Sequence, residues 1–426
     1  MRYLIILVLL WSAVSDFFAS RLPVLGNVDE LMVLILAIHI IIDAIVKAPR
    51  RKNKPLRFSI TDLLIISVLG WAVGSFIVNM SSITQLFLFL FSISKGFIIF
   101  YWIRKFLTDG RIFDDIIVII RWLIGIQIPF FIIGLALQGG GYFGDNAVGA
   151  IITGDASSVA TFFWLGIIYY LARFEQKKDK KYLLYVLGLL CLLIVTSTKQ
   201  LTLLLPLVLI FLYGRRLLAV KFKQLAFGLL GLAGVLVLYS TVEKRWMLNY
   251  GVDASDSSLL DYMNESEKLL GYYSLLYELP NEISHPIAWG AGPGMYGTYV
   301  AMNARAPLSQ KYIMYYYDLI PDGLGGSLAY RSSSVIGFWG DIGLIGLLLV
   351  IAVYLYQTFY TANRLKDPAL KPLHHLVVAC GLLLVGQSFI LNVFEGNSFA
   401  LNLFWILCGT GGIYMRNQEA KTSHEV

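Results

Sequence analysis

Charge is scarce in this chain. Lys, Arg, Asp and Glu supply 14% of its 426 residues, against about 25% in ordinary soluble domains. Cysteine is scarcer: Cys191, Cys380 and Cys408 are the only three, each within an apolar run. They behave as small core residues, and no disulfide framework or thiolate metal site is indicated. No D-x-D motif and no His/Asp cluster at metal-ligand spacing is present, which disfavours metal-dependent transfer chemistry. No repeat of about 20–50 residues is visible, and no soluble domain stands apart.

What the chain has instead is apolar length. Its hydrophobic fraction is 58% and its mean hydropathy +0.71. A spanning helix needs about 20 mostly apolar residues, because the hydrocarbon core is about 30 Å thick and offers no water to backbone groups. Such runs fall at 3–20, 29–47, 59–79, 83–103, 116–137, 156–173, 182–198, 201–214, 224–241, 335–357, 374–394 and 398–415. The first, with its internal Asp16, reads as an uncleaved span rather than a signal peptide. The expected fold class is therefore an all-α polytopic membrane protein of about twelve transmembrane helices. Its expected division is an N-terminal bundle of about nine spans (1–241), a large extracytoplasmic loop (242–334), and about three C-terminal spans with a cytoplasmic tail (335–426).

The net charge of +7 does not point to nucleic acid, because the basic residues are spread over short loops rather than one stripe. Those loops alternate. Lys47 to Arg57, Arg104 to Arg111, Arg173 to Lys181, Arg215 to Lys223 and Arg364 to Lys371 lie on one side, whereas the opposite short loops hold only Arg21 and Lys199. The positive-inside rule then puts both termini in the cytoplasm and the long loop outside.

A loop of this length inside a compact membrane protein is usually functional. It carries an amphipathic segment (Ser257 to Leu279), a glycine turn (Gly290, Gly292, Pro293, Gly294, Gly297) and a run of tyrosines. Gly292 to Gly297 spells G-x-G-x-x-G, but it lacks the strand, helix and acidic residue of a dinucleotide fold. What remains is a turn whose backbone N–H groups can approach an anion or a sugar. His285, the loop's one histidine, is a candidate base, or else a structural hydrogen-bonder. Tyr296, Tyr299 and Tyr315 offer flat faces to a glycan, or else form an interfacial aromatic belt.

Several cations suit a phosphate. Lys95 and Arg121 lie inside apolar runs, where a charge costs roughly 2.5–3.5 kcal/mol on insertion scales and must face protein, water or a headgroup. Each serves as an anion site or as a structural pair. Lys199 occupies a tight outward turn (Thr196 to Gln200), as a phosphate ligand or an ordinary interfacial lysine. Arg331 precedes Ser332, Ser333 and Ser334 where the chain returns to the membrane, and can fork onto a phosphate while serine hydroxyls and a helix N-terminus add donors. Anchoring at the interface is the alternative.

Three segments together resemble the O-antigen ligase and O-antigen polymerase superfamily. They are Ser197-Thr198-Lys199 followed by Leu203, His285-Pro286-Ile287-Ala288-Trp289-Gly290-Ala291-Gly292-Pro293-Gly294-Met295-Tyr296, and Ser333 to Gly346 with its Gly343-x-x-Gly346. The resemblance covers roughly residues 190–350 and the overall topology. It implies a glycosyltransferase at the outer face of a bacterial cytoplasmic membrane, without cofactor or metal. Its donor and acceptor are glycans on undecaprenyl diphosphate, and a flippase and a chain-length regulator are the implied protein partners. Such a site must stabilise charge growing on the departing diphosphate, and Arg331, Arg121, Lys199 and Arg305 are the candidates in that order. Two departures matter. Ligases place a histidine about where Ser332 stands, and favour arginine at Lys199. The missing histidine favours a repeat-unit polymerase over a ligase and leaves His285 or no residue as base. A polyprenyl-linked glycan flippase is the rival from another class.

Overall fold

The computed structural model describes residues 2–19, 28–47, 58–108, 111–137, 156–196, 199–217, 271–314, 333–365, 367–389, 391–395 and 399–424. Among them there is no strand. The long helices are α1 (Arg2–Ala19), α2 (Val28–Lys47), α3 (Ile60–Asn79), α4 (Ile83–Phe106), α5 (Ile112–Leu137), α6 (Ala156–Lys177), α7 (Lys181–Val195), α8 (Lys199–Leu217), α9 (Ser334–Arg364), α10 (Lys371–Gln387) and α11 (Phe399–His424). Each overlaps an apolar run read from the sequence, but α9 and α11 extend past the ends of theirs and α10 stops at Gln387, seven residues short of 394. The run at 224–241 lies outside the described residues. Five segments, Ile60–Asn79, Ile83–Phe106, Ile112–Ile133, Ser334–Arg364 and Pro368–Gln387, are long and apolar enough to cross a membrane. The chain is an all-α membrane protein.

Burial follows from who neighbours whom. α6 is buried all round from Val159 to Tyr169 and packs against α5, α7, α8 and α10. α2 instead turns Leu31, Leu34, Ile38, Ile41 and Ile45 outward. A stripe that apolar would be a liability in water and is the ordinary surface of a helix in lipid. Lys95, on α4, does not face lipid: it is buried and pairs with Glu30 Oε1 at 2.6 Å. That is the structural pair, the alternative to an anion site.

The bundle has two unlike ends. At one, Lys105 pairs with Asp43 at 2.7 Å, and Arg416 donates to the carbonyls of Arg104 and Leu107 at 2.8 and 2.7 Å. At the other, the α3–α4 hairpin meets the glycine turn: Gly292 lies against Ser81 and Gly294 against Gln85. The helix ends read as outward from charge asymmetry thus share one end, and the basic ends share the other.

α9 is not one straight rod. Gly343 inside it has φ 78° and ψ 167°, a conformation open in practice only to glycine. The packing shows what the break does. Val335 N–H donates to Ser388 O at 3.0 Å, and Thr358 lies against Gly381. On α10 those partners are seven residues apart, about 10 Å, whereas the twenty-three residues between them on a straight α9 would span about 34 Å. The piece Ser334–Ile342 therefore doubles back at Gly343. α9 is thus an interrupted helix.

The same geometry sinks the α10–α11 connection. Trp405 of α11 packs on Phe97 of α4 (centroids 5.0 Å apart), and Gly409 sits on Ile103. This register puts Phe399 level with about residue 91 of α4, about 12 Å below the first turn of that helix.

Candidate functional site at the glycine turn

A helix break frees carbonyls. Those of Gly340, Asp341 and Ile342 lose their in-helix partners at Gly343 and must find others. Ala291 N–H takes Gly340 O at 2.7 Å, Gly292 N–H takes Asp341 O at 2.8 Å, and the Trp71 indole takes Ile342 O at 3.1 Å. The Trp71 N–H also reaches Ala288 O at 3.1 Å, and its ring stacks on Trp289 at 4.3 Å. Ser75 donates to Trp289 O. The segment 285–297, expected outside the membrane, is thus laid along α3 as far down as Trp71, eight residues from the end of that helix. Gly290 and Gly343 meet backbone to backbone, and a Cβ on either would strike the other segment.

The turn was expected to offer its N–H groups to an anion. It already holds one. The Asp341 carboxylate is fully buried and accepts Gly294 N–H at 2.8 Å, Tyr296 N–H at 2.5 Å and Gly297 N–H at 3.3 Å. The Thr298 hydroxyl donates to it as well. A carboxylate with this many donors is a satisfied structural anion. Of the serines after Arg331, Ser332 lies outside the described residues and the other two are likewise engaged. Ser333 caps α9 by accepting Ile336 N–H at 3.1 Å, and Ser334 Oγ accepts Val393 and Phe394 N–H at 2.8 and 3.1 Å while donating to Asn392 Oδ1. The glycine turn is filled by the chain's own carboxylate, and Ser333 and Ser334 are committed to the chain's own backbone and Asn392.

The named candidates scatter. Arg331 and Tyr315 lie outside the described residues. Tyr296 is wholly buried, with its hydroxyl donating to Ser274 at 2.9 Å and its ring packed against Gly340, so it shows no face to a glycan. Burial won there because the α9 glycines leave a slot the size of an aromatic ring. Tyr299 is 39% exposed and stands at the junction. His285 is exposed, and its carbonyl accepts Trp289 and Gly290 N–H. Arg305 is exposed at φ 49°, just past the short helix Tyr299–Asn303. Lys199 begins α8, whose Leu204 abuts Gly386 near the end of α10. Arg121 is exposed on α5 beside Tyr170, nine residues from the basic end of that helix and away from the glycine turn.

Two acids that carry the junction were given no role in the sequence reading. Asp341 stands between Gly340 and Gly343 inside an apolar run, and its cost there was the available signal. Glu395 follows the run at 374–394. It is 2% exposed, and its Oε2 accepts Tyr299 N–H at 2.6 Å and Asn392 Nδ2 at 2.9 Å. Burial pushes its carboxyl up to about 8, with Asp341 adding to the shift and the two donors and Lys95 opposing it.

Fold and junction together define the class: an all-α membrane protein with a broken helix clasped by a glycine-rich turn at the end away from its basic loops. No family model matches the chain, and no curated protein matches it.

Proposed function

We propose that this protein is a membrane glycosyltransferase that polymerises undecaprenyl-diphosphate-linked repeat units at the outer face of a bacterial cytoplasmic membrane. One observation carries the reading. The two longer segments that resemble the O-antigen polymerase superfamily, 285–296 and 333–346, are separate in sequence yet clasp each other residue by residue through Asp341. A clasp between these two segments supports the reading because it joins both into one structural unit.

In this reading all twelve apolar runs span, and the glycine end faces outward by the positive-inside rule. The clasp is scaffold, with Arg331, Arg305 and Lys199 left to meet the diphosphate and Tyr299 the glycan. A ligase with another acceptor uses the same parts. Deletion of the gene tests it. A polymerase defect accumulates single outward-facing lipid-linked repeats, and a ligase defect full-length chains. Arg331→Ala should abolish elongation with protein level and repeat export intact.

The break at Gly343 favours a second reading, transport, because discontinuous helices with buried acids are frequent in transporters. Repeats left on the inward face after deletion would select it.

A further inference from the structure

Three side-chain oxygens at the junction are buried without a hydrogen-bond partner among the described residues, Ser81 Oγ, Gln85 Oε1 and Glu395 Oε1, and the last is the one that can take a proton. Glu395 Oε1 is buried and has no hydrogen-bond partner among the described residues. An acid oxygen left without a partner in a candidate site points to a partner that arrives with substrate. Its sister oxygen is held firmly. Tyr299 N–H grips it from one side and Asn392 from the other, and Asn392 is itself tied to Ser334 at the start of α9. The carboxyl is therefore aimed, with one oxygen anchored and one idle. Tyr299, whose backbone anchors it, is also the sugar-facing candidate that remains partly exposed.

We propose that Glu395 Oε1 is the proton acceptor for the attacking hydroxyl of the acceptor glycan. The inference rests on the polymerase reading and supplies the base it left unassigned. In the step, the acceptor O–H bond breaks and its proton passes to Oε1. The freed electron pair forms the bond to the anomeric carbon of the donor. The bond from that carbon to the diphosphate oxygen breaks, and its electron pair leaves with the lipid diphosphate. Glu395, now neutral, returns its proton to water before the next cycle. In the arrangement without substrate Oε1 is buried, so the acceptor hydroxyl reaches it only when neighbouring groups move aside while Tyr299 and Asn392 keep hold of Oε2. A group whose proton affinity lies near neutral pH is well matched to this work. The groups that set it are the burial itself, Lys95 from α4, Asp341 from α9, and the Tyr299 and Asn392 donors.

The test uses the full chain reconstituted with an undecaprenyl-diphosphate-linked repeat unit, polymer length being followed between about pH 6 and pH 9. Wild-type elongation should climb with pH and level off above about 8. Glu395→Gln should fall by about 100-fold or more, with folding judged by its thermal midpoint, and Glu395→Asp should retain a fraction with a displaced limb. Normal elongation by Glu395→Gln, or a wild-type rate that ignores pH over this range, overturns the assignment while the polymerase reading stands. No elongation by wild type at any pH overturns both.

Discussion

The Asp341 carboxylate accepts the backbone N–H of Gly294 at 2.8 Å, joining a helix interior to a glycine turn forty-seven residues earlier in the chain. Around this bond the glycine-end architecture is arranged. The break at Gly343 frees carbonyls, the turn supplies N–H groups to them, and the carboxylate gathers the N–H groups left over. Neither segment is satisfied without the other, because both are buried away from water.

Removing the carboxylate should therefore cost more than an ordinary core truncation. Asp341→Ala strands the N–H groups of Gly294, Tyr296 and Gly297 in a buried place, and each unsatisfied group costs about 1–3 kcal/mol. The expected loss is several kcal/mol, read as a lowered thermal midpoint in detergent or as failure to accumulate. Asp341→Asn keeps an acceptor oxygen and should be milder. Equal midpoints for Asp341→Ala and wild type would mean that the clasp contributes nothing.

The helices were legible because lipid imposes a simple rule on composition, though α10 ends seven residues before its apolar run does. The clasp was not legible. A glycine turn facing an incoming phosphate and a glycine turn facing an internal aspartate have the same spelling, and only the fold says which anion arrives. Tyr296 illustrates the same limit. A tyrosine among glycines reads as exposed, but the glycines of α9 make room for its ring and bury it. The role of Asp341 had a signal in its cost within an apolar run, whereas Glu395 had only its position beside one.

Glu395 gives stability its own pH dependence, independent of any activity. Its folded-state carboxyl is raised from 4.5 to about 8 by burial, so the folded protein holds a proton that the unfolded chain releases. The benefit is complete below the unfolded value and is lost as pH climbs toward 8. Across that window the solubilised protein should lose up to about 1.4 kcal/mol per pH unit from this group. Thermal midpoints from about pH 5 to pH 8 check it. The fall should flatten in Glu395→Gln, which cannot ionise, and an identical slope in the two proteins would remove Glu395 as its source.

Which end of the bundle faces outward decides whether the junction can meet an exported lipid-linked glycan. Met80, in the α3–α4 hairpin beside the glycine turn, is 84% exposed, and Lys178, between α6 and α7, is exposed at the basic end. Both already sit at positive φ, 49° and 58°, so cysteine adds no new backbone demand. Cys380 and Cys408 are buried, and Cys191 is exposed on α7, so Cys191→Ser gives a quiet background. Maleimides react with the thiolate, which forms readily in water and not in hydrocarbon. In intact cells a membrane-impermeant maleimide should label Met80→Cys and spare Lys178→Cys, and permeabilisation should expose the second. Labelling of Lys178→Cys alone would invert the bundle. The glycine end would then open to the cytoplasm, where no exported repeat unit waits, and the polymerase reading would fall with it.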